Sequence, residues 1–164
     1  MFAVIVNPVS GGGEAVRLAI RISERIAAMG QESRLFETSG DGDAARQTRA
    51  AVEAGCEAVV CIGGDGTICE AAGELCHRDA TFYVVPGGTG NDFARAFHLP
   101  KDPMAAFESQ LAGEPIQIDC GRMNGKSFLN VSGSGFDVAV LDLHLTDGEV
   151  TPVLEALHAR GAPT

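Results

Sequence analysis

Over its first hundred residues the chain alternates short runs of β-branched and apolar residues with longer stretches of helical period, the pattern of a parallel sheet flanked by helices. Phe2 to Val6 reads as a fully buried first strand and Asn7 to Gly13 as a loop. Glu14 to Met29 reads as a helix with Glu14, Arg17, Arg21, Glu24 and Arg25 on a polar face. Val16, Leu18, Ile20, Ile22 and Ile26 supply its apolar area, and Gly30 ends it. Ser33 to Glu37 is expected as the second strand, Thr38 to Asp43 as a loop, and Ala44 to Ala54 as an Ala-rich helix stopped by Gly55. Ala58 to Ile62 is the third strand, and a helix follows through about Cys76. Phe82 to Val85 makes the fourth strand and runs into the glycine-rich turn Pro86 to Gly90, after which Asn91 is placed to cap a short helix, Asp92 to Phe97. The expected architecture is α/β, a doubly wound and mostly parallel sheet.

The texture changes after Pro100. Asp102 caps a helix that has Pro103 at its first position and ends near Gly113. Ile116 to Arg122 and Lys126 to Val131 read as two strands around Asn124-Gly125, a strong hairpin signal, and Gly133 to Val140 continues with small residues. This is the start of an antiparallel region. Leu141 to Thr164 has weak signals, a helix from Val153 to Arg160 and a frayed tail from Gly161 to Thr164.

Composition narrows the partners. The formal charge is −10, with six Lys/Arg against eight Asp/Glu in residues 1 to 60 and six against fourteen in 61 to 164. No basic stripe is available to neutralise a phosphate backbone, which argues against nucleic acid. The cysteines (Cys56, Cys61, Cys69, Cys76, Cys120) are odd in number, lack a C-x-x-C pair and fall in apolar patterns, so they read as buried thiols in a reducing cytoplasm. Zinc on Cys69, Cys76 and His77 matches none of the usual ligand spacings. The only apolar N-terminal run is too short for a signal sequence, and no stretch is long enough to span a bilayer.

The candidate chemistry centres on Gly63-Gly64-Asp65-Gly66-Thr67, where a buried strand meets a helix expected to begin near Thr67. Consecutive glycines are expected to take positive φ and turn their amides toward an anion, while the helix adds unpaired N–H groups and a partial positive charge. Asp65 inside that turn would repel a bare phosphate but would suit Mg²⁺ or a nucleotide hydroxyl, so a metal-complexed nucleotide is the expected ligand. An ordinary tight turn favours the same residues. Small or glycine-rich loops also follow the first and fourth strands, and a doubly wound sheet collects all three at its carboxyl edge.

Four motifs lie in order along residues 1 to about 140. They are Asn7-Pro8-x-Ser10-Gly11-Gly12; Gly63-Gly64-Asp65-Gly66-Thr67 with Glu70; Pro86-x-Gly88-Thr89-Gly90-Asn91-Asp92-Phe93-Ala94-Arg95; and Ile118-Asp119-x-Gly121 leading to Phe128-Leu129-Asn130 and Gly135-Phe136-Asp137. Together they closely resemble the bacterial diacylglycerol kinase and lipid kinase family, which includes sphingoid-base kinases. NAD kinases and phosphofructokinases share only a related Gly-Gly-Asp-Gly turn.

The resemblance implies a nucleotide-binding α/β domain over residues 1–112, of NAD kinase/diacylglycerol kinase-like fold, and over 113–164 the truncated beginning of a β-sandwich domain. ATP, Mg²⁺ and a lipid substrate would meet in the cleft between them. By the same resemblance Asn7, Pro8, Val9, Ser10 and Gly11, together with Gly63, Gly64, Asp65, Gly66, Thr67, Ile68 and Cys69, surround the ATP phosphates and ribose. Thr38 and Thr89 are hydroxyl contacts, and Cys69 stands where many relatives have Asn. Arg95 suits either a phosphate or solvent. Phosphoryl transfer needs positioning, metal charge compensation and a base. Asp65 is the candidate for the metal, with Glu70 behind it, and Asp147 in Asp147-Gly148-Glu149 is a candidate base, although a turn explains that segment as well. The expected setting is cytoplasmic, peripheral at a membrane surface, with a homodimer or a partner chain as ways to complete the second domain. Two other functions stay open at this point: a nucleotide-binding module without catalysis, and phosphorylation of NAD, against which Asn91 to Arg95 argues.

Overall fold

A computed structural model of the chain describes residues 1–123, 126–129, 131–134 and 139–142. Two compact units result, Met1–Ile116 and Gln117–Thr164.

The first unit is built on four parallel strands: β1 (Phe2–Val6), β2 (Ser33–Glu37), β3 (Ala58–Gly63) and β4 (Thr81–Pro86), in the spatial order β2-β1-β3-β4. In register, Val4 faces Leu35 on one side and Val60 on the other, and Val60 faces Tyr83. The central strands are apolar throughout because helices cover both faces. Helices α1 (Ala15–Ala28) and α5 (Pro103–Ala112) share a core with Val4, Val6, Val60, Ile62 and Val85, in which Ile22, Ile26 and Phe107 are fully buried. Each such large apolar side chain removed from water contributes about 2 kcal/mol. Helices α2 (Asp43–Glu53) and α3 (Asp65–Leu75) cover the other face, where Ala3, Ile5, Val59 and Leu75 pack with Ala44 and Ala51. The buried stripe of α1 is Ala15, Ala19, Ile22 and Ile26, so Ile20, expected to add apolar area, falls on the outer side and is 49% exposed.

The two sheet edges are finished differently. At β4 the Gln110 amide stands in for a missing strand: Val84 N–H donates to its Oε1 (2.9 Å) and its Nε2 donates to the Val84 carbonyl (2.7 Å). At β2 the polar sequence Ser-Arg-Leu-Phe-Glu leaves Arg34, Leu35 and Glu37 exposed. Asp102 caps α5 by accepting from Ala105 N–H (2.7 Å), with Pro103 in its first turn, as its sequence predicts.

Three local expectations are corrected. Helix α3 begins at Asp65, two residues before Thr67, so Asp65, Gly66 and Thr67 form its first turn. Gly63 and Gly64 do not take positive φ: Gly64 is extended (φ −85°, ψ 178°), and the left-handed glycines near the site are Gly11, Gly12 and Gly13. Asn91 precedes α4 (Asp92–Ala96) in a left-handed conformation and makes no side-chain cap; its amide instead exchanges two hydrogen bonds with the Gly88 backbone (2.9 and 2.8 Å).

In the second unit, β5 (Gly121–Met123) pairs antiparallel with β6 (Lys126–Phe128), and β7 (Val131–Ser134) with β8 (Ala139–Asp142). The strand expected from Ile116 is shorter, beginning only at Gly121, where the Phe128 ring lies over a position that has no room for a Cβ. Asn124-Gly125, Asn130, Gly135 to Asp137, the helix expected at Val153 to Arg160, the tail, and Asp147 with its neighbours lie outside the described residues.

Candidate functional site

The chain leaves β1 toward β2 on one side and returns past it to β3, so the strand order switches direction between the carboxyl ends of β1 and β3. That is where an open α/β sheet forms a crevice for a ligand. A cavity of about 780 Å³ opens there. Its walls come from the loops after all four strands.

After β1, the loop residues Asn7 to Gly12 line it. Asn7 N–H donates to the Ile62 carbonyl (3.0 Å), and its Oδ1 accepts from Val9 N–H (3.2 Å), folding the loop back on itself. Gly11, at φ 58°, donates its N–H to the Gly87 carbonyl (2.8 Å), and Gly87 in turn donates to the Gly63 carbonyl (2.8 Å). Three loops distant in sequence are thereby tied into one floor.

The glycines of β3 and β4 matter for space. A Cβ on Gly63 would sit 2.7 Å from Thr67 Cβ, and one on Gly88 would sit 2.7 Å from Gly64 Cα. Absence of side chains lets the β3 and β4 loops touch backbone to backbone. Gly64, Gly66 and Thr67 then face the cavity together with Gly87, Gly88 and Thr89. The first hydrogen bond within α3 runs from Ile68 N–H to the Gly64 carbonyl (3.0 Å), so the N–H groups of its first turn are free for a ligand.

The fourth wall follows β2. Thr38 is buried and donates its N–H to the Val6 carbonyl (2.9 Å), and Thr38, Ser39, Gly40 and Asp41 line the cavity with Ala44. Two carboxylates pin this loop. Asp43 accepts from Ser39 N–H and Oγ (2.8 Å each), hydrogen bonds that hold its carboxyl below the usual range with help from Arg46. Glu70, on α3, accepts from Gly42 N–H (2.9 Å) and itself faces the cavity.

Of the residues that the resemblance places around the nucleotide, four stand back from the cavity. Gly63 ends β3, and Ile68 is fully buried in the core. Cys69 is half-buried on α3. Asp65 turns toward the β4 loop: its Oδ1 accepts from Phe93 N–H (3.3 Å), and its Oδ2 lies where a Cβ on Gly90 would be only 2.8 Å away. Asp65 therefore joins the start of α3 to the start of α4. Arg95 pairs with Asp92 on α4. Beneath the α3 amino terminus Cys61 Sγ contacts the Thr67 carbonyl (3.7 Å), and burial pushes its thiol up to about 12, which keeps it neutral.

Sequence reasoning overlooked Ser39, Gly40 and Asp41 as lining residues, although a small polar run directly after an expected strand is the signal that found the other loops. Among the described residues no three His, Cys, Asp or Glu side chains gather to hold a metal, Cys69, Cys76 and His77 included. A cation here would take most of its oxygen ligands from a ligand's phosphates and from water, as Mg²⁺ usually does.

The model of the family described as diacylglycerol kinase catalytic domain matches residues 1–123. The chain is 31% identical over 134 residues to a diacylglycerol kinase of Staphylococcus carnosus (strain TM300), covering 80% of this chain and 44% of that protein. It is 39% identical over 135 residues to the Pseudomonas aeruginosa protein named "Probable lipid kinase YegS-like", covering 81% and 43%. Among solved structures, a diacylglycerol kinase from Bacillus anthracis str. Sterne superposes with a TM-score of 0.69 at 28% identity, over 79% of this chain and 45% of that one. The chain thus spans less than half the length of these relatives.

Proposed function

The chain belongs to the diacylglycerol kinase catalytic domain family, and on that premise we propose that Met1–Ile116 is the nucleotide-binding part of an ATP-dependent lipid kinase. The observation that carries this reading is the glycine-framed cavity at the sheet's switch point, large enough for a nucleotide and faced by the unpaired N–H groups of the first turn of α3. The N–H groups at Gly66 and Thr67 take the phosphates, and the hydroxyls of Thr67, Thr89 and Ser10 donate to their oxygens. Bound Mg²⁺ would neutralise charge on the β- and γ-phosphates. Asp65 is set back from the cavity, and its Oδ2 accepts no hydrogen bond among the described residues, so the role we assign it is in the water shell of the metal. The Phe93 N–H bond fixes the direction of that carboxylate.

Transfer would form a bond from a lipid hydroxyl oxygen to the γ-phosphorus, break the bond from that phosphorus to the β–γ bridging oxygen, and pass the hydroxyl proton to a base. The acceptor we assign is a diacylglycerol-like lipid at a membrane surface, reached from the cytoplasmic side. No helix among the described residues is long and apolar enough to cross a membrane.

Two measurements test the reading. Calorimetry of the 164-residue chain with Mg·ATP should give saturable binding; no binding defeats it. Labelled γ-phosphate should pass to diacylglycerol in mixed vesicles. Binding without transfer would support a second reading, a nucleotide-binding module without catalysis.

A further inference from the structure

The cavity is lopsided in its chemistry. One end is backbone, with Gly11 and Gly12 after β1, Gly87 and Gly88 after β4, and the start of α3 between them. The end after β2 carries oxygen: the hydroxyls of Thr38 and Ser39, the Asp41 carboxylate and, from α3, Glu70. The two carboxylates repel phosphate, whereas the unpaired N–H groups at the amino terminus of α3 attract it, and the glycine loops beside them leave it room.

We propose that this polarity sets the direction of the bound nucleotide, with phosphates at the glycine end and the ribose 2′,3′-diol at Asp41, and that Glu70 is the positioning residue that holds the Asp41 loop in place. The inference rests on the nucleotide reading above and goes beyond it in naming what reads the sugar. An ionised carboxylate offers acceptors only, and two adjacent hydroxyls offer it two donors. Asp41 has no hydrogen bond or ion pair among the described residues, so its oxygens are uncommitted. Its loop is fixed on both sides, at Ser39 by Asp43 and at Gly42 by Glu70. Gly42 sits at φ 77°, a left-handed position that the Glu70 bond helps to maintain. With the Glu70 acceptor removed, the Gly42 N–H loses its partner and the loop loses its tie to α3.

The test is calorimetry on the full chain with Mg²⁺ and three probes: ATP, 2′,3′-dideoxy-ATP and inorganic triphosphate. The wild-type chain should bind ATP about tenfold more tightly than the dideoxy form, the worth of a hydrogen bond to a charged group. Asp41→Ala should bring that ratio close to one without weakening triphosphate. Glu70→Ala should weaken ATP and leave triphosphate unchanged, and Glu70→Gln, which keeps an acceptor oxygen for Gly42 N–H, should restore most of the loss. A wild-type ratio near one, an unchanged ratio in Asp41→Ala, or a loss of triphosphate affinity in Glu70→Ala equal to that for ATP overturns the proposal while leaving nucleotide binding intact. If the wild-type chain binds none of the three, both readings fall.

Discussion

Alanine at position 88 places a methyl group 2.7 Å from Gly64 Cα and 3.2 Å from Asn91 Oδ1. Neither Gly88 nor Gly64 has positive φ, so the change adds no backbone strain of its own and the cost is contact alone. Gly64 Cα cannot rotate aside as a side chain would. The β4 loop must move off the β3 loop, and overpacking of this kind costs about 1–3 kcal/mol. Asn91's two hydrogen bonds to Gly88 are exposed and add little when strained. A net of about 2 kcal/mol lowers the melting temperature by roughly 4–8 °C in a chain of this size. Gly64→Ala is the internal control: its Cβ would stand 3.5 Å from Gly88 Cα, an ordinary contact. There the gain of about 0.4–1 kcal/mol from a stiffer unfolded chain offsets the poorer helix cap. Thermal melting followed by circular dichroism should therefore separate two substitutions made on either side of one contact. Equal losses, or a larger one for Gly64→Ala, would refute the argument from close approach.

Gln110→Leu removes both partners of the Val84 backbone, whose residue is 1% exposed, and should cost about 2 kcal/mol in urea unfolding. It also opens the β4 edge, so concentration-dependent association should appear in light scattering; a monomeric variant of unchanged stability would show the amide to be dispensable. Cys61 is raised by burial to about 12, so above about pH 8.5 the unfolded chain gives up this proton while the folded chain keeps it. The stability it contributes is complete below that pH and is lost progressively toward pH 12. Cys56 shifts in the same direction by burial, so Cys61→Ala should reduce, not abolish, the fall in urea midpoint between pH 8 and pH 10.

The four strands of the first unit were the legible part of this fold, because their signal is local. The apolar runs of β1 and the polar edge run of β2 coincide with their expected limits, Phe2–Val6 and Ser33–Glu37, and β3 and β4 extend only a residue beyond theirs. Helix faces were less legible: the apolar residues of α1 number more than its buried stripe can hold, and only packing under α5 and over β1 selects Ile22 and Ile26 over Ile20. Asn91 shows the same limit. Its type and place suit a cap, but the Gly88 backbone offers it both a donor and an acceptor, and two bonds outcompete one.

The glycines of the site show why a motif can locate chemistry without explaining it. Gly63-Gly64 has two readings from composition, conformational freedom or absence of bulk, and both bring amides near a ligand. At Gly63 the fold decides for absence of bulk, because a Cβ there would sit 2.7 Å from Thr67 Cβ; between the loops the 2.7 Å approach falls on Gly88, 24 positions beyond Gly64, and a Cβ on Gly64 would stand 3.5 Å away. Asp65 follows the same logic. An acid after two glycines reads as a ligand for a cation, and in the fold one of its oxygens already accepts from Phe93 N–H while the other lies against Gly90. That geometry joins Asp65 to the segment Gly88 to Phe93: the carboxylate accepts from the first turn of α4 and lies beside Gly90. Replacing Asp65 should therefore disturb the β4 loop even where no metal is bound, a consequence that a turn considered alone does not contain.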